Sequence, residues 1–297
     1  MITMPLQRLI DELYGQQPNG VLYHYASLGA TLKIIESRSL FATDIRYFND
    51  TAELNHAASL LNAETSRRIR EGNDKELLIQ FQNWLNHRIT DGHMQFVACF
   101  TKNGNLLSQW RGYCPPSLGV SIGFNADMIV ESAKNQKFII GQCIYSLDDQ
   151  KKIISQLIDC VEDLAKQDGQ NTDSSKRHPS NSFNDVFEKI EVNLLKIAAL
   201  IKHPSFHEEQ EWRVVSPIIE NYVISPIEYR EGKSMLIPFI RFNLPETSTR
   251  NIEIDNVVLG PTAHIHKSMN SLSNYLSKSQ ASPRNGIRYC QIPYMTL

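Results

Sequence analysis

Apolar residues recur along this chain with two different periods. Leu6 to Leu13 has the helical spacing, and so does the stretch 31–39. Leu54, Ala58, Leu61 and Thr65 line one face of a longer helix, which Asp50 or Thr51 can cap through a side-chain oxygen. Leu77, Leu78, Phe81, Trp84 and Leu85 mark the next. Further helical stripes run from Ile153 to Leu164 and from Val186 to Ile201, with another helix near Lys267 to Leu276. The other period is two. VLYHYA (21–26) and LFATDI (40–45) are short extended runs, and MQFVACF (94–100), LGVSIGF (118–124) and KFIIGQCIY (137–145) follow. The last third returns to strands at 211–219, 234–242, 252–260 and 286–294.

Helices and strands are mixed without strict βαβ alternation. That predicts an α+β fold: a mixed, mainly antiparallel sheet core flanked by helices. QDGQNTDSSKRHPSNS (167–182) is polar and rich in Gly, Pro and Ser, so a mobile loop is expected there. Because strands lie on both sides of it, residues 1–297 read as one domain with an inserted loop, not as two domains.

Composition narrows the function classes. With 30 Lys and Arg against 32 Asp and Glu, the chain has no general basic surface for nucleic acid. The five cysteines form no C-x-x-C pair and read as reduced thiols of a cytoplasmic protein. The start, MITMPLQRLIDELYG, does not read as a signal peptide, and no stretch has the apolar length of a membrane span.

Three sequences suggest chemistry that their context does not support. Gly119-Val-Ser121-Ile-Gly123 matches the nucleophile-elbow pattern, but that motif needs a sharp strand-to-helix turn, and Ser121 sits inside an alternating run. His203 and His207 have metal-ligand spacing, but Pro204 interrupts the helix that would align them. His264-x-His266 is equally thin. No metal site is expected.

Four polar clusters carry more weight. In Leu22-Tyr23-His24-Tyr25, alternation puts His24 on one face and both tyrosines on the other. Core aromatics with satisfied hydrogen bonds compete with a ligand-binding histidine. Arg46-Tyr47-Phe48-Asn49-Asp50 is either turn chemistry or a binding loop. Ser108-Gln109-Trp110-Arg111-Gly112-Tyr113 offers a planar guanidinium for phosphate and rings for stacking; a structural Arg–carboxylate pair is the other reading. Glu209 and Glu211 are two apart, so an extended chain carries them on one face with Arg213.

From about residue 20 onward, LYHYA, LFATDIRYFND, CFT, SQWRGY, GVSIGF, FHEEQEWR, VVLGP and IPY together resemble a bacterial domain family of unassigned function, often met near anti-phage defence genes. The layout also resembles ADP-ribosyltransferases, most closely the His-Tyr-Glu type and those that modify DNA or RNA. That second resemblance implies NAD as substrate, His24 on the NAD ribose and nicotinamide, and Glu211 as the catalytic Glu with Glu209 beside it. Tyr47 or Tyr113 would stack, and Arg46 or Arg111 would reach the phosphates. Tyr25, Ser108, Trp110 and Arg213 complete the expected cofactor-binding set. The middle Ser-Thr-Ser or Tyr motif of that family has only Ser108 and Tyr113 as counterparts.

The function expected from these resemblances is an NAD-consuming effector, a transferase or a glycohydrolase, acting in anti-phage defence. A nucleic acid or protein would be the acceptor, and a neutralising or regulatory partner from the same operon would restrain it. A nucleotide- or nucleic-acid-end-binding module without turnover is one alternative. A nuclease or hydrolase using Glu209 and Glu211 is another.

Overall fold

Small residues on one face of a central strand and large apolar ones on the other decide how this chain is layered. The computed structural model describes residues 4–48, 52–114, 119–171, 183–223, 225–232 and 234–292. In chain order its first elements are α1 (Met4–Tyr14), β1 (Val21–Ser27), α2 (Leu28–Ser37), β2 (Ser39–Asp44), a 3-10 turn (Ile45–Tyr47), α3 (Ala52–Glu71) and α4 (Lys75–Asp91). Then come β3 (Phe96–Phe100), α5 (Leu107–Tyr113), β4 (Gly119–Asn125), α6 (Ala126–Asn135), β5 (Ile139–Gln142), α7 (Leu147–Asn171) and α8 (Asn184–Ala198). A 3-10 turn (Pro204–Glu209) leads to β6 (Trp212–Val215), β7 (Glu228–Glu231), β8 (Leu236–Asn243), β9 (Asn256–Leu259), α9 (Ile265–Lys278) and β10 (Ile287–Tyr289).

The strands form two sheets. One has the order β1-β4-β9-β10; the other has the order β5-β6-β3-β2-β8-β7. Every pairing is antiparallel except β9 with β10. The fold is therefore α+β with mainly antiparallel sheets, as the patterning predicts. No helix among the described residues is long and apolar enough to cross a membrane.

The two sheets face each other across one core. Leu22 and Ala26 of β1 and Val120, Ile122 and Phe124 of β4 meet Phe96, Ala98 and Phe100 of β3, with Trp212, Val214, Ile240 and Phe242 beyond them. A second core lies among the helices α1, α3, α4, α7 and α8, built around Leu78, Phe81, Leu157, Phe187 and Ile190.

The outward face of β4 explains the Gly119-Ser121-Gly123 pattern. A Cβ at Gly123 would sit 2.9 Å from the Tyr23 ring, and one at Gly119 would collide with the Cys114 side chain. These residues are small because tyrosines of β1 and the end of α5 lie against them. Ser121 is buried opposite Tyr25 in the middle of β4, with no elbow.

Some boundaries differ from the pattern reading. α7 continues to Asn171, five residues into the segment expected to be a loop, and 172–182 lies outside the described residues. The expected caps Asp50 and Thr51 also lie outside them. α5 and α6 were not visible as apolar stripes. α6 starts directly after β4, where the Asn125 side chain accepts the backbone N–H groups of Asp127 and Met128. The expected carboxylate strand begins later than supposed: Glu209 ends the 3-10 turn, and Gln210 takes a left-handed φ of 43°.

Candidate functional site

The sheets join at β1 and β3. Tyr23 and Thr101 exchange two backbone hydrogen bonds, each 2.8 Å long, and from there the strands diverge. His24 occupies the fork. Its Nδ1 lies 2.9 Å from the Cys99 carbonyl oxygen, and its ring meets Phe100 edge-on at 6.0 Å. A carbonyl only accepts, so Nδ1 carries the proton and Nε2 keeps a lone pair. Burial lowers the His24 pKa, and the bond to Cys99 only partly opposes this. His24 is therefore a neutral imidazole.

Cys99 links this fork to the carboxylates. Cys99 lies opposite Arg213 in the β3–β6 pairing, and Arg213 holds Glu211; burial first, then Glu211, raises the Cys99 pKa well above the usual thiol value. Glu211 is held by both backbone and side chain. Its carbonyl accepts from the Cys143 N–H at 2.9 Å, and its own N–H donates to the Tyr145 hydroxyl at 2.9 Å. Arg213 Nε donates to Glu211 Oε1 at 2.7 Å, and Lys202 Nζ donates to Oε2. Burial would raise the Glu211 pKa, but Arg213 and then Lys202 outweigh it and hold the carboxyl at about 2.

Glu209 joins the same network. Lys202 Nζ lies 2.7 Å from Glu209 Oε2 and so bridges the two carboxylates. The pairing expected of an extended E-x-E is thus reached by another route, in which the turn at Gln210 brings both carboxylates to one ammonium. Lys202 is itself placed by backbone pairing: Ile144 N–H donates to Leu200 O at 2.7 Å, and Lys202 N–H donates to Ile144 O at 3.1 Å. Arg213 also donates to Ala199 O at 2.8 Å and lies 5.5 Å from the Phe48 ring. Two carboxylates and two cations thus meet in this buried cluster.

Tyr113 faces the cluster from α5. It is 45% exposed, yet Glu211, Cys99, Lys202 and Glu209 all act on its hydroxyl electrostatically. Burial first, then Glu211, raises its pKa, so the phenol stays protonated.

The remaining candidates divide. Trp110 is fully buried; its Nε1 donates to Asn105 Oδ1 at 2.9 Å and its ring meets Tyr25 edge-on at 4.7 Å. Tyr25 donates to Asn103 O at 2.9 Å and accepts from Leu106 N–H at 2.8 Å. These two rings are packing partners with satisfied polar tips. Ser108 and Arg111 are exposed on α5. Arg46 grips Asp44 with two hydrogen bonds, at 3.0 and 2.7 Å, and donates to Gly92 O at 3.1 Å. Tyr47 is half-buried in the adjoining turn. The structure thus gathers Glu209, Glu211 and Arg213 around Lys202, sets His24 on the Cys99 carbonyl opposite Arg213, leaves Tyr113 within electrostatic reach, and ties Arg46 to Asp44.

Pattern reading did not single out Lys202, Cys99 or Tyr145. Lys202 did leave a signal. It follows Ala198-Ala-Leu-Ile201 at the end of an apolar stripe, where a charge must find a counter-charge to be buried. His203 caps the 3-10 turn by accepting from Ser205 N–H at 3.2 Å, while His207 Nδ1 lies 3.3 Å from Pro204 O. Among the described residues, no group of three or more His, Cys, Asp or Glu side chains could hold a metal ion.

Residues 109–214 match a family model. It is DUF2971, described as a protein of unknown function. The DUF2971-like segment begins at Gln109, in α5, and ends at Val214, in β6, so it contains Tyr113, Lys202 and both carboxylates. His24 and β1 lie outside it. No curated protein and no solved structure matches the chain.

Proposed function

We propose that the protein consumes NAD, as an ADP-ribosyltransferase or an NAD glycohydrolase. One observation carries this reading: the first-strand His24 bonds the Cys99 carbonyl, and Cys99 lies opposite the Arg213 that grips Glu211, where the two sheets part. The reaction breaks the bond between the ribose C1′ and the nicotinamide nitrogen. The electron pair leaves with the nicotinamide, whose ring loses its positive charge, and the ribose becomes oxocarbenium-like. Water or an acceptor nucleophile then adds to C1′ and loses its proton.

Each residue has a stated part. Glu211, ionised at any physiological pH, offers negative charge to the ribose, and a preorganised group of this kind contributes about 100- to 1,000-fold. To free Oε2 for that task, Lys202 moves its contact toward Glu209. His24 Nε2 accepts from a ribose hydroxyl, and the half-exposed Tyr113 ring stacks on nicotinamide. A role in anti-phage defence, acting in the cytoplasm on a nucleic acid or protein acceptor under a regulatory partner, rests on the motif resemblance alone.

A second reading has its own observation. Both Glu211 oxygens are already engaged, by Arg213 and Lys202. A carboxylate so neutralised suits a nucleotide-binding module that leaves its ligand intact. Incubation of the purified protein with NAD separates the two. Nicotinamide with free ADP-ribose means hydrolysis, and nicotinamide with ADP-ribose attached to an acceptor means transfer. NAD that binds and is recovered whole supports the second reading and removes the first.

A further inference from the structure

The six-stranded sheet ends in an open edge. β7 has β8 on one side and, among the described residues, no strand on the other. Several large apolar side chains near this edge face solvent, including Val223 at 76%, Leu236 at 66% and Tyr229 at 56%, together with Tyr222 and Met235. Exposed apolar groups gathered along an unpaired strand are a template for another chain.

The charges on β7 have an internal symmetry. Alternation places Glu228 and Arg230 on one face and Tyr229 on the other. The contacts agree: Glu228 accepts from Arg241 at 2.5 and 2.8 Å, and Arg230 Nη2 lies 3.4 Å from Thr43 Oγ1. Arg230 Nε is buried without a hydrogen-bond partner, and none of the described carboxylates pairs with this guanidinium. Arg230 thus stands on β7 as a cation with no described anion against it.

We propose that β7 pairs antiparallel with β7 of a second copy of this chain, about a two-fold axis through Tyr229. In that register Glu228 opposes Arg230 of the other copy, twice by symmetry, and the two Tyr229 rings face each other. The neighbouring registers fail. A slip of two residues sets Arg230 against Arg230 or Glu228 against Glu228, and like charges directly opposite are destabilising. A slip of one turns each side chain to the wrong face. β7 is only four residues long, so Tyr222, Val223, Met235 and Leu236 are needed to widen the contact toward the area of a stable dimer.

Sedimentation velocity on the full chain, from low micromolar to near-millimolar concentration, tests this. The wild type should pass from monomer to dimer. Glu228→Arg or Arg230→Glu alone should weaken the dimer about tenfold or more, the equivalent of about 1.4 kcal/mol. The double change should restore part of it, because both symmetric pairs are re-formed with reversed sign while position 228 now repels Arg241 of its own chain. Circular dichroism confirms that each variant folds. Tyr229→Lys, at an exposed position, is the independent disruption should a charge reversal prevent folding. A wild type that stays monomeric throughout, or a dimer indifferent to these changes, overturns the proposal.

Discussion

His24 Nδ1 lies 2.9 Å from the carbonyl oxygen of Cys99, in the fork where β1 leaves β3. Because Cys99 also lies opposite Arg213, which holds Glu211, one residue of β3 stands between a neutral imidazole and a buried ion pair. The backbone contact fixes the ring's tautomer and its direction. This explains why a half-polar strand such as VLYHYAS can form the edge at which the two sheets join: each polar tip is either bonded or turned toward the fork.

The lowered His24 pKa has a consequence for stability. The folded protein binds this proton less readily than the unfolded chain, whose histidine titrates near 6.5. The contribution is therefore fully present above pH 6.5 and is lost as pH falls through and below that value. Thermal melts at a series of pH values should show His24→Gln losing less stability than the wild type between neutral and mildly acidic pH. Parallel curves for the two proteins would mean that His24 is not held neutral.

Lys202 should be a keystone of the buried cluster. Lys202→Met leaves Glu209 and Glu211 close together with only Arg213 as counter-charge, and breaking a buried pair from one side costs about 3–5 kcal/mol. Urea unfolding at neutral pH reads this directly. The depressed Glu211 pKa gives a matching acid effect: its contribution is present above pH 4.5 and lost as pH falls toward about 2. The Lys202→Met protein should therefore lose less stability than the wild type over that acidic range.

Arg46 should act on stability and not on the ligand. Asp44 has no exposed side-chain surface, and Arg46 supplies its ionic partner. Arg46→Ala strands a buried carboxylate, at a cost of about 3 kcal/mol. NAD affinity, measured by calorimetry on the folded protein, should be unchanged. A large loss of affinity with normal stability would return Arg46 to the phosphate site.

Trp110 belongs to the core in the same sense. It packs with Tyr25 and Cys114 beneath the β4 face, so Trp110→Ala should cost about 3–5 kcal/mol in denaturant unfolding.

Much of the fold was legible because burial writes its period into the chain. The alternation of Val120, Ile122 and Phe124 marks β4, and the stripe from Ile153 to Leu164 marks α7. α5 left no such mark, since seven residues make too short a stripe and its buried anchor, Trp110, stands among polar neighbours. The site was half legible. Glu209, Glu211 and Arg213 were noticed as a charge cluster, but alternation supplied the wrong geometry, because the left-handed Gln210 breaks the strand between the two carboxylates. Lys202 lies nine residues before Glu211 in sequence, and only the backbone pairing of Ile144 with Ile201 brings it beneath them.

In the proposed reaction, Glu211 stabilises positive charge on the ribose of NAD. Nicotinamide release by wild type and by Glu211→Gln, each normalised to its folded fraction and paired with an NAD dissociation constant, tests it most directly. The variant should be less stable, since Lys202 and Arg213 lose part of their partner, yet its folded molecules should bind NAD with similar affinity. Release should fall by at least about 100-fold. Undiminished release from folded Glu211→Gln protein, or no release from the wild type, would contradict the account.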